Sequence, residues 1–282
     1  MRHSLNTMNY EQLQPKAGNH SIDHVLIALE WSSPLNKVEI EQLRLHARPP
    51  ENLYPREEPQ FNIHISADLN KGGSTSVQQQ ELSGFIFSRF GPDGTLLRQV
   101  QITHQHCLFV ASDYTNWGDF LDEANGVIAK VISALPDSAA IAAVGLQYVD
   151  KFFWRGEAHE WSLKPILNQE TTYAAQHIRE CVDFCHSHHG YFEDDANATY
   201  PHKRLDNVNI DVVDHAGTKV LQLLTSHKAV LNTPLKTKES VEIRQIQELL
   251  KRAHRQVLGN LLHPSVLERI GFKNLPSGGS NG

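Results

Sequence analysis

Residues 82–103 read Leu82-Ser83-Gly84-Phe85-Ile86-Phe87-Ser88-Arg89-Phe90-Gly91-Pro92-Asp93-Gly94-Thr95-Leu96-Leu97-Arg98-Gln99-Val100-Gln101-Ile102-Thr103. Two runs rich in aromatic and β-branched residues flank Gly91-Pro92-Asp93-Gly94, and Asp-Gly supplies the positive φ that a tight hairpin turn requires. The stretch predicts two antiparallel strands, 82–90 and 95–103, with a third at 107–111. Phe120, Ala124, Val127, Val131 and Leu135 then recur at helical spacing, marking the buried face of a helix at 117–135 that Pro136 stops.

The same plan recurs downstream. Strands at 184–192 and 208–213 precede the turn Asp214-His215-Ala216-Gly217, and a strand at 220–231 follows. Ile243, Ile246, Leu250, Ala253, Val257 and Leu261 then give the apolar face of a second long helix, at about 238–258. Upstream, 22–29 reads as a buried strand. Ser33-Pro34 reads as a helix start with Ser33 at the N-cap, and Pro49-Pro50 as that helix's end. Phe61-Asn62-Ile63-His64-Ile65 alternates like a half-buried strand, 71–76 is a flexible loop, and 141–153 is a long strand.

Helices segregated from hairpin-rich sheets predict an α+β class. Two similar subdomains are expected, each a mostly antiparallel sheet covered by a long helix. The expected division is a mobile N-terminal arm at 1–20, a first subdomain at 21–155, a linker region at 156–180, a second subdomain at 181–273 and a flexible tail at 274–282.

Composition bounds the biology. The chain has 282 residues, of which 40% are hydrophobic, enough to build a core. Its net charge of -6 argues against a surface that tracks a phosphate backbone. Cys107, Cys181 and Cys185 do not make a disulfide framework. The N-terminal residues are polar rather than signal-like, and no run of about 18 apolar residues offers a membrane span. A cytoplasmic protein with no membrane partner is the expectation.

Chemistry concentrates in one place. The chain has 17 histidines, densest in Cys181-Val182-Asp183-Phe184-Cys185-His186-Ser187-His188-His189, with Glu193, Asp194 and Asp195 close behind. Thiolate and imidazole are zinc's preferred ligands. As a strand, however, the run puts Cys185, Ser187 and His189 on one face and His186 with His188 on the other, and it has no CxxC pair. No metal and no cofactor is therefore expected. His186, His188, Tyr191 and Asp194 are the expected binding residues, against the plainer reading of a strand with exposed histidines. His104 and His106 also share a face, but two ligands do not hold an ion tightly.

No GxSxG elbow, GxxxxGK[ST] loop or GxGxxG fingerprint occurs, so no catalytic residues are assigned. Lys236, Lys238, Arg244, Lys251, Arg252 and Arg255, with His202-Lys203-Arg204, form a cationic series suited to phosphates. Glu239, Glu242 and Glu248 interleave with them as on a solvated helix, which disfavours nucleic acid as partner.

Val144-Gly145-Leu146-Gln147-Tyr148-Val149-Asp150-Lys151, the helix opened by Trp117 and Phe120, and the end running from Ala253-His254 through Leu258 and Leu262 to Leu267-Glu268-Arg269-Ile270-Gly271-Phe272 carry a resemblance. The chain resembles a sporadically distributed bacterial family of uncharacterised proteins of similar length, over about 22–272. That family usually reads Val-Gly-Leu-Arg-Tyr-Ile-Asn at the first motif, and here Gln147 and Asp150 replace its Arg and Asn. The resemblance implies a fold and an association with mobile-element or phage-defence loci, without catalytic residues.

The expected function is therefore non-enzymatic recognition or regulation through binding another macromolecule, a protein by preference. The alternative is a metal-assisted hydrolase or nuclease using His186, His188 and nearby acids. The two part on whether Asp183, Glu193, Asp194 and Asp195 converge on those histidines.

Overall fold

The computed structural model describes residues 12–67, 75–195, 198–236 and 240–272. Its elements are β1 (Leu13–Pro15), β2 (Ile22–Trp31), α1 (Lys37–Ala47), β3 (Arg56–Ala67), β4 (Thr75–Phe90), β5 (Leu96–Thr103), β6 (His106–Ala111), α2 (Trp117–Ala134), β7 (Ile141–Trp154), α3 (Gln176–Arg179), β8 (Cys185–Asp195), β9 (His202–His215), β10 (Thr218–Leu235), α4 (Val241–Leu261) and α5 (Pro264–Arg269).

The expectation of two similar sheets, each under its own long helix, is overturned. The strands join a single large antiparallel sheet of 10 strands in the order β3-β4-β5-β6-β2-β7-β10-β9-β8, with β1 paired to β7. Strand outweighs helix, and the described residues form only five α-helices. The physical cause lies in β2 and β7. Lys151 N–H donates to Ser21 O and Ser32 N–H to Ala140 O, both at 2.8 Å, so β7 binds β2 along one edge. Its other edge takes β10. Period-two alternation reports which face of a strand is buried. It does not report whether one edge or both are hydrogen-bonded, and the reading ended a subdomain on a strand that continues the sheet.

The chain divides into two compact units, each assembled from separated segments. One comprises Leu26–Val144 and Leu231–Arg244. Here the 82–103 stretch folds as read: β4 and β5 pair antiparallel, with Gly84 opposite Thr103 and Arg89 opposite Arg98. Gly94 adopts φ 82°, and Asp93 Oδ1 accepts from the Thr95 N–H at 3.0 Å to close the turn. Helix α1 packs against α2. The N-cap of α1 is Asn36, not Ser33, in a reciprocal capping box with Glu39. Asn36 wins because its carboxamide reaches the Glu39 N–H at 3.0 Å while Glu39 returns to the Asn36 N–H at 2.8 Å.

The other unit comprises Met1–Val25, Gly145–Val230 and Gln245–Gly282. Its core gathers Leu13, Phe152, Trp154, Trp161, Leu163, Val208, Ile210, Leu221, Leu223, Val257 and Leu261, all buried. The turn between β9 and β10 uses φ 52° at Ala216 and φ 81° at Gly217. Asp214 Oδ1 accepts from the Gly217 N–H at 3.0 Å, a local bond that holds alanine in the left-handed region. Of the arm expected at 1–20, residues 1–11 lie outside the described residues, and Leu13 is already fully buried in β1 opposite Trp154. The loop expected at 71–76 lies outside them as far as 74, and the tail at 274–282 lies outside altogether.

Candidate functional site

Strand β8 carries the residues singled out in the sequence, and it ends the strand order. Its burial alternates with period two from Cys185 to Tyr191. On the exposed face, His186 stands opposite Asp211, His188 opposite Asn209, Gly190 opposite Asn207, Phe192 opposite Leu205 and Asp194 opposite Lys203. His186 Nδ1 meets Asp211 Oδ1 and His188 Nδ1 meets Asn209 Oδ1, which fixes both imidazoles against β9. Phe184 and Phe192, 53% and 61% exposed, bracket the two histidines. Lys219 lies 5.3 Å over the Phe184 ring and Lys203 5.7 Å over the Phe192 ring. At Gly190 the Asn207 carboxamide lies over the strand, 2.3 Å from where a Cβ would stand, so a larger residue there would have to displace that side chain.

Three of the four expected binding residues, His186, His188 and Asp194, thus share one face. Tyr191 does not: it turns to the opposite, half-buried face and stacks with Tyr173 and His189 at centroid distances of 6.1 and 6.4 Å. Burial, then a hydrogen bond with Tyr173, pushes its phenol well above the usual range, so it stays protonated. On the same side, burial and then the neighbouring Cys181 push the Cys185 thiol up to about 12.

The four acids do not converge on the histidines. Asp183 pairs with Lys219 at 3.1 Å, Glu193 with Arg204, and Asp194 with Lys203 at 3.8 Å, while Asp195 lies 3.8 Å from His202. Among the described residues no three His, Cys, Asp or Glu side chains gather as a metal site would require.

A second polar cluster lies inside the same unit, between α4 and strands β7, β9 and β10, and the sequence reading missed it. Asp206, fully buried, accepts from Arg204 Nε at 3.0 and 3.1 Å and from His227 Nδ1 at 2.7 Å. Burial acts to raise its pKa, but the hydrogen bond from His227 and the charges of His227 and Arg204 outweigh that and hold it below the carboxylate range. Asp206 is therefore ionised, and the Nδ1 proton of His227 points at it. His254 lies 3.0 Å from Thr225 Oγ1 and stacks on Tyr148 at 3.9 Å. Burial, reinforced by the Lys251 charge, keeps His254 neutral well below the ordinary imidazole pKa.

Lys251 donates to Tyr148 Oη at 2.9 Å, and burial, with the charge of Arg255, brings it down to about 8. Asp150, 1% exposed, accepts from Ser21 Oγ at 2.6 Å and is pushed up to about 6 by burial. Asp150 Oδ2, His227 Nε2 and both amide atoms of Gln247 have no hydrogen-bond partner among the described residues. Signals for this cluster existed: Tyr148 and Asp150 fall on the buried parity of β7, and Gln247 and His254 on the core side of α4. The cluster orients imidazoles and holds charges among buried side chains, whereas the β8 face is exposed from His186 to Asp194.

Comparison with known protein families and with curated proteins finds no match for this chain.

Proposed function

We propose that this chain is a non-enzymatic recognition protein that docks a protein partner on the outer face of β8 and β9. The observation that carries the reading is the row His186, His188 and Phe192 on one exposed face of β8, with both imidazoles already held by Asp211 and Asn209 and a second exposed ring, Phe184, just ahead of the strand. Exposed aromatic rings beside preorganised polar groups are what an interface centre uses, since the rings supply buried area and the fixed polar groups cost little ordering entropy. Asp183, Glu193, Asp194 and Asp195 pair with other side chains, and the carboxylate that does meet these histidines, Asp211, orients His186 alone, which supports binding over metal-assisted hydrolysis. The resemblance carried by 144–151 extends the proposal to a bacterial mobile-element or defence locus, acting in the cytoplasm.

The test is purification of the partner from the native host followed by affinity measurement with both pure proteins. Replacing His186 and His188 by alanine together should change stability by less than about 0.5 kcal/mol, as exposed strand positions do. Adding Phe192→Ala should weaken the partner's affinity about 30-fold, equivalent to about 2 kcal/mol. Unchanged affinity refutes the surface. Reproducible turnover of a phosphodiester or phosphomonoester that the double replacement abolishes refutes the function.

A further inference from the structure

Strands β3 and β8 end the strand order, and the two ends are built differently. A free strand edge presents unpaired N–H and C=O groups, and proteins that must not pair there protect it with proline, bulges or charge. Strand β3 has such protection. It contains Pro59, and its register with β4 shifts at Gln60/Phe61 and again at Ile63/His64. Strand β8 runs 11 residues in unbroken register with β9, with no proline, lysine or arginine among them.

Its charges are also segregated. Cys185-His186-Ser187-His188-His189 fills one end, and Glu193-Asp194-Asp195 the other. A parallel copy of β8 in register would set acid against acid. An antiparallel copy sets the acidic end of each strand against the imidazole end of the other.

We propose that the outer edge of β8, unpaired among the described residues, pairs antiparallel with β8 of a second copy of this chain. With the two-fold axis at Gly190, His186 lies opposite Asp194, Ser187 opposite Glu193, His188 opposite Phe192 and His189 opposite Tyr191. Opposed residues in an antiparallel pair share a face. The His186–Asp194 and His188–Phe192 contacts therefore fall on the exposed face, and His189–Tyr191 extends the Tyr173, His189 and Tyr191 stack on the other. Pairing would set two copies of the recognition face side by side, making partner binding bivalent. The inference goes beyond the recognition reading and does not depend on it.

Sedimentation equilibrium of the full chain tests the pairing. Wild type should show a reversible monomer–dimer equilibrium. His186→Glu with His188→Glu makes the strand acidic throughout, and Glu193→Lys with Asp194→Lys makes it basic. Each double variant alone should self-associate at least tenfold more weakly, and an equimolar mixture of the two should recover the dimer. Deuterium uptake at 185–195 of wild type should slow as concentration crosses the dimerisation midpoint, a readout that survives if a variant fails to fold. Monomeric wild type at about 100 µM, a mixture that stays monomeric although both variants fold, or uptake independent of concentration overturns the proposal. A monomer that still loses its partner on Phe192→Ala overturns the pairing alone. A dimer whose partner binding ignores that change overturns the face alone.

Discussion

Asp150→Asn isolates the cost of keeping a carboxylate inside the sheet. Asp150 is 1% exposed, Ser21 Oγ donates to its Oδ1 at 2.6 Å, and its Oδ2 has no partner among the described residues. Burial raises its pKa from 3.8 to about 6, against the opposing pull of the Ser21 bond and the Lys251 charge. A raised carboxyl binds its proton more tightly folded than unfolded, so its contribution to stability falls as pH rises from about 4 to about 6. Linkage puts the penalty at about 1 kcal/mol at pH 4.5 and about 3 kcal/mol at pH 7.

Asparagine keeps the acceptor for Ser21 and cannot ionise. It also buries an amide N–H₂, a cost of about 1–3 kcal/mol that does not vary with pH. The prediction therefore concerns the difference between two pH values. Urea unfolding of both proteins should show the variant gaining about 2 kcal/mol on wild type between pH 4.5 and pH 7. Asp23 and Asp206, held low by their partners, slope the other way, losing stability as pH falls, but they are common to both proteins and cancel. A stability difference that is flat with pH, or one that shrinks toward pH 7, would refute the reasoning.

Two further outcomes follow from the geometry. A Cβ at Gly84 would stand 2.3 Å from Ile102 O and 2.9 Å from Thr103 Cα, both backbone atoms of β5. Gly84→Ala should therefore destabilise by roughly 3 kcal/mol or more in urea unfolding, and an unchanged midpoint would refute the β4–β5 register. With Cys107 and Cys185 both pushed up to about 12, almost no thiolate exists near pH 8. Both should be alkylated by iodoacetamide at least about 100-fold more slowly than an unhindered thiol, and rapid labelling of Cys185 read by peptide mass spectrometry would contradict its environment.

What was legible in the sequence follows from what periodicity measures. Phe120, Val127, Val131, Ile243, Ile246 and Leu250 are all buried, as helical spacing requires, and α2 and α4 lie where the apolar faces put them. The hairpin turns at 91–94 and 214–217 were written in Asp and Gly, whose local bonds act without the rest of the fold. Strand order was not legible. Pairing of β2 with β7, and of β7 with β10, joins residues far apart in sequence, and no turn records it. The short β1 was equally silent, because three residues carry too little alternation to register.

The histidines separate two kinds of signal. Their number said little, but strand parity split 185–189 into the two sets the structure shows, and burial then puts His186 and His188 outside and Cys185 with His189 on the half-buried side. Parity applied to β7 and β10, and helical spacing applied to α4, would have found the rest. Asp150 and His227 sit at positions where every neighbour of the same parity is packed, and His254 sits one residue from Ala253 and three from Val257 on the packed face. A polar residue at such a position must be bonded internally or cost about 1–3 kcal/mol. Polar side chains on a core face are therefore the stronger clue to a network than a run of like residues at the surface. Lys251 makes the point most sharply. Grouped with Arg252 and Arg255 it reads as part of a solvated cationic series, yet it bonds to the fully buried Tyr148. The same rule assigns the exposed imidazoles a different role: His186 and His188 have no burial to satisfy, so their fixed pairing with Asp211 and Asn209 organises a surface rather than a core.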